Sequence, residues 1–451
     1  MRFDVTTVSM EDRNTGFAAA RIRCAENQVE CSLDLNLAQV FESTNRIPER
    51  ALDFLFCAAV VYAIDKHVDR QTCSEDGWTR ELTVCIPVAE PGHWNAHAEH
   101  LSECVSFLTG DIWNITFSAR WHTPAFPPGN FGRGLFSNQL ARGEAVSLFS
   151  GGLDSYIGAI DWLESSPNQS LVLVGHYDGD IKGPHSDQER LYQSLVGAYP
   201  RRAKLVQMRI GSNPAGAEMS LRSRSLVFIA LGIYAAECMS GNRSLTIPEN
   251  GVIALNMPLT PARRGSCSTR TAHPYFITFL DGILQKVGFT HRLSNPYVLR
   301  TKGEMVRNCR NPALLARTAS QTVSCAKGGH NVWWDNRTAA GCGRCVPCLF
   351  RRAALHCAGL DTEPYGFDLH SVSYALGSQR DGWNDLLALL ECVRANPSVE
   401  AIGDTLLASG PLPVGQLDDY ARVIRRTRDE VAAFIEAKGS ATIKQLAGLS
   451  V

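Results

Sequence analysis

The stretch Ala145-Val146-Ser147-Leu148-Phe149-Ser150-Gly151-Gly152-Leu153-Asp154-Ser155 decides how the chain is read. A strand-like apolar run, Ala145–Phe149, ends directly in Ser150-Gly151-Gly152, and a helix-like run, Ser155–Leu163, follows. Successive glycines let backbone N–H groups turn inward as a nest, and the N-terminus of the next helix adds partial positive charge. The hydroxyls of Ser150 and Ser155 add side-chain hydrogen bonds to the same anion. In an open α/β sheet such a turn lies beyond the carboxyl end of a strand, where ligands sit. The turn lacks the GK[ST] ending of a Walker A loop and is not GxGxxG. Its pattern is SGGxDS, and the plain alternative is a tight βα turn with a capping serine.

Downstream of Ala145 the pattern is strand–helix–strand: strands at Leu171–Val174, Ala203–Ile210 and Ser244–Ile247, with helices at Asp187–Val196 and Leu221–Ala236 between them. This alternation predicts an α/β fold with a Rossmann-like parallel sheet. Upstream, residues 1–120 read as an α+β module. Its strands are Arg2–Val8, Ala18–Cys24, Gln28–Leu33, Glu81–Ile86 and Ile112–Ala119, with helices over Ala51–Lys66 and near Ala96–Leu108. The first of these helices has too little polar face to stand alone, so it should pack on the module's sheet or on the next domain. Residues 121–144, rich in Pro, Gly and aromatic residues, read as a linker. The catalytic domain is placed at 145–360 and a helical tail at 361–451, with helices over Trp383–Arg394 and Leu417–Ala437.

Composition bounds the function. The 451 residues are 45% hydrophobic and 20% charged, with formal net charge −1, so a folded globular protein is expected and no whole-chain attraction to nucleic acid or anionic membrane. The start carries early acids and no signal-like apolar core, and the longest apolar runs fall well short of the roughly 20 residues of a spanning helix. The fifteen cysteines are mostly scattered singly, which predicts a reducing, cytoplasmic setting, with Cys24, Cys57, Cys104 and Cys238 as buried structural thiols.

Four cysteines are different. Cys325, Cys342, Cys345 and Cys348 form C-x16-C-x2-C-x2-C. The short gaps let thiolates converge on one ion from a single turn, and the distant Cys325 closes a tetrahedron. A four-thiolate zinc site is closed and structural, with no water to activate; an iron–sulfur cluster is the competitor, disfavoured because no C-x3-C-P follows.

SGGLDS at Ser150–Ser155 resembles the PP-loop of enzymes that attack the α-phosphate of ATP and release pyrophosphate. With the late Ser324-Cys325 and Cys342-Gly343-Arg344-Cys345-Val346-Pro347-Cys348-Leu349-Phe350-Arg351, the order of motifs is similar to that of QueC-like 7-cyano-7-deazaguanine synthases. The likeness covers roughly Ala145–Leu360. It implies that Ser150, Gly151, Gly152, Asp154 and Ser155 bind ATP, with Asp154 fixing the loop or meeting Mg2+. In Arg224-Ser225-Leu226-Val227-Phe228, Arg224 matches an arginine that faces the nucleotide, and in Thr301-Lys302-Gly303-Glu304 the family's KxE pattern makes Lys302 a candidate phosphate ligand.

Three departures stand out. His176-Tyr177-Asp178-Gly179-Asp180 replaces the family's YGQ. Pro248-Glu249-Asn250-Gly251 and Ser268-Thr269-Arg270-Thr271-Ala272-His273-Pro274 replace the segments that read the deazapurine. The N-terminal module and helical tail are additional. Together these resemble QatC, the QueC-like component of the Qat anti-phage defence system. Glu249 and Asn250 follow a strand at the same sheet edge as the glycine turn, where an acid can accept from an amino-purine-like ring. Arg270 and His273 are candidates for holding a substrate carboxylate or acyl-adenylate; the plain readings are a surface ion pair for Arg270 and a histidine capping the Pro274 turn. Arg222 and Arg224 at a helix start oppose the helix dipole, a cost that a bound anion removes.

The implied activity is an ATP-dependent C–N ligation: a deazapurine-type carboxylate is adenylated and then captured by an amine, which in a defence setting can belong to a partner protein. The implied cofactors are Mg2+ and Zn2+. The other readings are a PP-loop tRNA sulfurtransferase, with Cys267 or Cys309 as the reactive thiol, and a non-catalytic scaffold in a defence complex.

Overall fold

In the structure, a computed structural model, β7 (Leu171–Tyr177) is buried along nearly its whole length. This is the signature of a parallel strand covered on both faces. β6 (Ala145–Leu148) pairs with it in parallel, Ala145 opposite Leu171, and β8 (Ala203–Asn213) pairs on its other side, Leu171 opposite Ala203. Beyond β6 lie two short parallel strands, β9 (Leu245–Thr246) and β10 (Leu293–Ser294). Residues 1–7, 18–24, 26, 29–36, 48–120, 143–179, 183–218, 222–239, 244–260, 270–326, 328–370 and 384–450 are the ones described. Residues 121–142 of the expected linker, and Asp180, Cys267, Ser268 and Thr269, lie outside them.

The N-terminal strands join this same sheet. β3 (Glu30–Asn36) pairs antiparallel with β8, Leu33 opposite Ser212, and β2 (Ala18–Cys24), β1 (Arg2–Thr7), β4 (Glu81–Val88) and β5 (Ile112–Ala119) follow. The order is β10-β9-β6-β7-β8-β3-β2-β1-β4-β5. Six strand pairs are parallel and the three around β2 and β3 antiparallel. Pairing with β8 also draws β3 out to Asn36, beyond the Leu33 end expected from its alternation.

The helix Glu49–His67 is buried from Ala51 to Lys66 and packs on the helix Arg224–Glu237 and on β3, β4 and β8. Its lack of a polar face is thus satisfied across both halves of the sheet. The helix expected near Ala96–Leu108 is present as Ala98–Thr109, preceded by a separate short helix, Pro91–Asn95. The break follows Asn95, whose side chain bonds both the N–H and the carbonyl of Phe117 on β5. Such side-chain bonding to backbone competes with helix continuation. Cys24, Cys57, Cys104 and Cys238 are buried, as expected.

The C-terminal helices Asn384–Ala395, Val399–Leu407, Leu417–Lys438 and Ala441–Leu446 share an apolar core with the helix Val346–His356 that leaves the cysteine cluster. The long member reaches the site: Glu430 accepts from Thr301 Oγ1 at 2.5 Å and from the Gly303 N–H at 3.2 Å. Among the described residues no helix is long and apolar enough to cross a membrane.

Candidate functional site

β6 leads through buried Phe149 to the exposed Ser150. Gly151 then takes φ +87°, a left-handed conformation open to glycine at no steric cost. Gly152 is the N-cap of the helix Leu153–Ser165 and offers no side chain to its first-turn N–H groups, which lack intrahelical acceptors. Ser150 Oγ accepts from the Gly152 N–H at 3.3 Å and lies 3.3 Å from Ser155 Oγ, which bonds the Gly152 carbonyl at 3.0 Å. The expected strand, glycine turn and helix N-terminus are therefore present in order.

The turn opens on two cavities. The larger, about 320 Å³, has apolar walls from Leu148, Phe228, Ile229, Ile247 and Ala272, and polar edges from Ser150, Ser155, Arg224 and Glu249. The smaller, about 200 Å³, is edged by Asp154, Lys302, Val323, Ser324 and Pro347. They meet at Ser150, Ser155, Pro248 and Glu249. An apolar chamber joined to a polar one at a helix N-terminus suits a ligand with a ring at one end and an anion at the other.

Asp154 and Lys302 are both nearly buried, with Lys302 Nζ 2.5 Å from Asp154 Oδ1. Asn250 Nδ2 donates to Asp154 Oδ2 at 2.6 Å and to Glu249 Oε1 at 3.1 Å, and the Asn250 N–H reaches Asp154 Oδ2 at 3.2 Å. Burial opposes ionisation of Asp154, but the Lys302 charge and hydrogen bonds from Glu249, Lys302 and Asn250 hold its carboxyl below the usual value. Burial and the neighbouring Asp154 carboxylate push Glu249 well above it. The two carboxyls are thus pushed apart, Asp154 toward the ionised form and Glu249 toward the neutral one. Lys302 reaches the cleft because Thr301 and Glu304 form a capping box at the helix Lys302–Arg307, with Glu430 bracing it from the C-terminal helix.

Arg224 stands on the larger cavity, its Nε 3.3 Å from His176 Nδ1 and its NH2 3.3 Å from the His176 carbonyl. Arg222 points elsewhere, to the Thr109 carbonyl at 2.9 Å and over the Trp78 ring. Arg270 and His273 flank the cavity residues Thr271 and Ala272, but their contacts run to Phe107. Arg270 donates to its carbonyl at 2.7 Å, and His273 meets its ring edge-on. His273 Nδ1 accepts from the Tyr275 N–H as the N-cap of the helix Pro274–Val287, the capping geometry weighed for it. Burial, then the Arg270 charge, pushes its imidazole down to about 4.

The four cysteine sulfurs lie within 4.8 Å of one another, Cys325 to Cys345 at 4.0 Å and Cys342 to Cys348 at 3.9 Å. Zn–S bonds of ~2.3 Å in a tetrahedron require sulfurs about 3.8 Å apart, so the set fits zinc. N–H groups of Cys342 and Cys345 point at Cys325 Sγ (3.4 Å) and Cys342 Sγ (3.3 Å), outer-sphere bonds that suit thiolates. Gly343, at φ +80°, leaves no room for a Cβ against Tyr365 and the Phe367 carbonyl. The knuckle touches the site directly: Ser324 and Pro347 line the polar cavity, and the Val323 N–H donates to the Gly151 carbonyl at 3.0 Å.

Sequence reasoning missed the residues behind Arg224. His176 and Asp178 were legible only as a departure from a motif; the structure makes them the link to the N-terminal helix. No family model, curated protein or solved structure matches the chain.

Proposed function

We propose that the chain is a PP-loop enzyme that uses ATP to adenylate a carboxylate and passes the acyl group to an amine. The observation that carries this reading is the join of the two cavities at Ser150 and Ser155, under a glycine turn and a helix N-terminus. In this reading the nucleoside lies in the apolar chamber and the phosphates at the turn, between Arg224 and Lys302. The substrate oxygen attacks the α-phosphorus, the bond to the bridging oxygen breaks, and pyrophosphate leaves. Loop N–H groups, Arg224 and Lys302 offset its charge, so the work is positioning and electrostatics with no covalent protein intermediate.

Asp154 would be the cleft carboxylate that meets Mg2+, an ion that commonly takes one or two carboxylates together with substrate phosphates. The cysteine cluster supplies structure, since four thiolates leave zinc no open position. Glu249 and Asn250 would read the substrate ring. The QueC-like resemblance points to a deazapurine-type acid, and the altered reading segments and added N-terminal and C-terminal parts point to an amine on a defence partner protein. The sulfurtransferase reading is weakened at Cys309, which is buried and whose thiol burial pushes up to about 12.

The test is to incubate the full chain with Mg-ATP and candidate acids and measure AMP and pyrophosphate, with Asp154→Ala as control. Formation of both products, lost in the control, supports the reading. Release of ADP and phosphate, or no turnover with any acid or co-expressed partner, contradicts it. Intact-mass analysis of such a partner tests the protein-acceptor step, and an unmodified mass after turnover counts against it.

A further inference from the structure

The guanidinium of Arg224 is held from behind by a buried chain of contacts that begins in the N-terminal helix Glu49–His67. Tyr62 donates to Asp178 Oδ2 at 2.8 Å and Lys66 Nζ reaches the same oxygen at 3.2 Å, all three side chains being buried. Asp178 follows the end of β7, two residues after His176, whose fully buried ring meets Tyr62 edge-on on one side and Phe228 on the other. His176 Nε2 lies 2.9 Å from the Ile210 carbonyl, which only accepts, so Nε2 carries the hydrogen. Nδ1 is then the acceptor, and it faces Arg224 Nε, which only donates. Burial and the nearby Arg224 charge keep this imidazole neutral, its value pushed down to about 3.

The same N-terminal helix holds the backbone that carries Arg224. Asp65 Oδ2 accepts from the N–H and hydroxyl of Ser223, at 3.0 and 2.7 Å, at the start of the helix Arg224–Glu237. Asp65 is itself fixed by Arg80 at 2.5 Å and Arg70 at 3.3 Å, which both also pair with Asp111. One helix therefore fixes both the main chain under Arg224 and, through Asp178 and His176, its side chain. An arginine pinned in this way on the cavity wall has little orientational freedom left to lose on binding.

We propose that His176 is a positioning residue for Arg224, and that Tyr62, Lys66 and Asp65 make the N-terminal helix a working wall of the phosphate site. This rests on the reading of that site as an ATP-binding cleft and adds to it which residues set its affinity.

The experiment uses the full chain and titrates Mg-ATP and, separately, inorganic pyrophosphate by calorimetry, with melting curves on every variant. Arg224→Ala is expected to weaken both ligands about tenfold, the scale of one lost charged hydrogen bond. His176→Phe, which keeps the ring packing and loses the acceptor, is expected to weaken them by a similar factor. His176→Asn, whose Oδ1 stands near the place of Nδ1, is expected to recover most of the loss. The double variant His176→Phe/Arg224→Ala should bind no worse than Arg224→Ala alone, because the two act as one unit. A folded His176→Phe that binds like the parent, or losses that add in full in the double variant, would overturn the proposal and leave the ATP reading standing. Normal pyrophosphate binding by Arg224→Ala would overturn the proposal through its parent, because the arginine would then not serve the anion.

Discussion

Lys302 Nζ stands 2.5 Å from Asp154 Oδ1, a nearly buried ion pair that ties the first turn of the Lys302–Arg307 helix to the helix leaving the glycine turn. Removing one partner leaves the other charged and without its main counter-charge, at a cost of about 3–5 kcal/mol. Lys302→Met should therefore lower stability sharply. Asp154→Asn/Lys302→Met, which removes both charges, should recover much of it without recovering ATP turnover. Denaturant titration with a pyrophosphate assay separates the two effects, and a stable Lys302→Met with full turnover would remove Lys302 from the site.

Acid should destabilise the fold through its buried histidines. His176 and His273 titrate at an ordinary 6.5 when unfolded, but burial holds them at about 3 and about 4. Between those values the unfolded chain binds more protons, so stability is complete above pH 6.5 and falls as pH drops, by up to about 1.4 kcal/mol per pH unit for each histidine. Glu249 acts with the opposite sign: its folded value is raised above 4.5, so its contribution is present below pH 4.5 and lost as pH rises. Across pH 4.5–6.5, His176→Asn should therefore make the acid loss shallower and Glu249→Gln should make it steeper. Unfolding curves across that range check both signs, and unchanged slopes contradict the assignment.

A metal held by the four cysteines should matter to the proposed nucleotide site. The Val323 N–H holds the Gly151 carbonyl, and Ser324 and Pro347 line the polar cavity beside the cysteines. Elemental analysis should give one zinc per chain, and chelation or Cys345→Ser should lower the melting temperature and weaken Mg-ATP binding together. Visible absorption with bound iron would replace zinc by a cluster. Unchanged ATP affinity in a folded, metal-free chain would uncouple the knuckle from the turn.

Gly158 tests the packing under the cleft. Helix propensity alone favours Gly158→Ala by about 1 kcal/mol. A Cβ there, however, would lie 2.6 Å from both Cβ and Cγ of Pro248, which lines both cavities. We expect net destabilisation and weaker Mg-ATP binding, read by melting and calorimetry; a stabilised variant with normal affinity would show that Pro248 yields freely.

What the sequence made legible was local. Ser150–Ser155 declared its turn because glycine conformation and an adjoining strand and helix are near neighbours in the chain. The cysteines declared theirs because x2 gaps place thiolates on one knuckle. The union of the two halves through β3 and β8 was not legible, since strand pairing across some 180 residues leaves no local mark. The environment of Arg224 was hidden for the same reason: Tyr62 and Lys66 meet Asp178 only when the Glu49–His67 helix converges on the end of β7. Arg270 and His273 read as cleft residues through the resemblance, in the segment that replaces one reading the deazapurine, yet both turn to Phe107, because the Ala98–Thr109 helix packs there.

The most direct measurement is a crystal structure of the full chain with Mg2+ and an ATP analogue that cannot be cleaved between the α- and β-phosphates. The account predicts phosphates against the Gly151–Ser155 backbone and the Arg224 guanidinium, with the base among Leu148, Phe228 and Ile247. A nucleotide bound elsewhere, or the turn empty at saturating analogue, would contradict it.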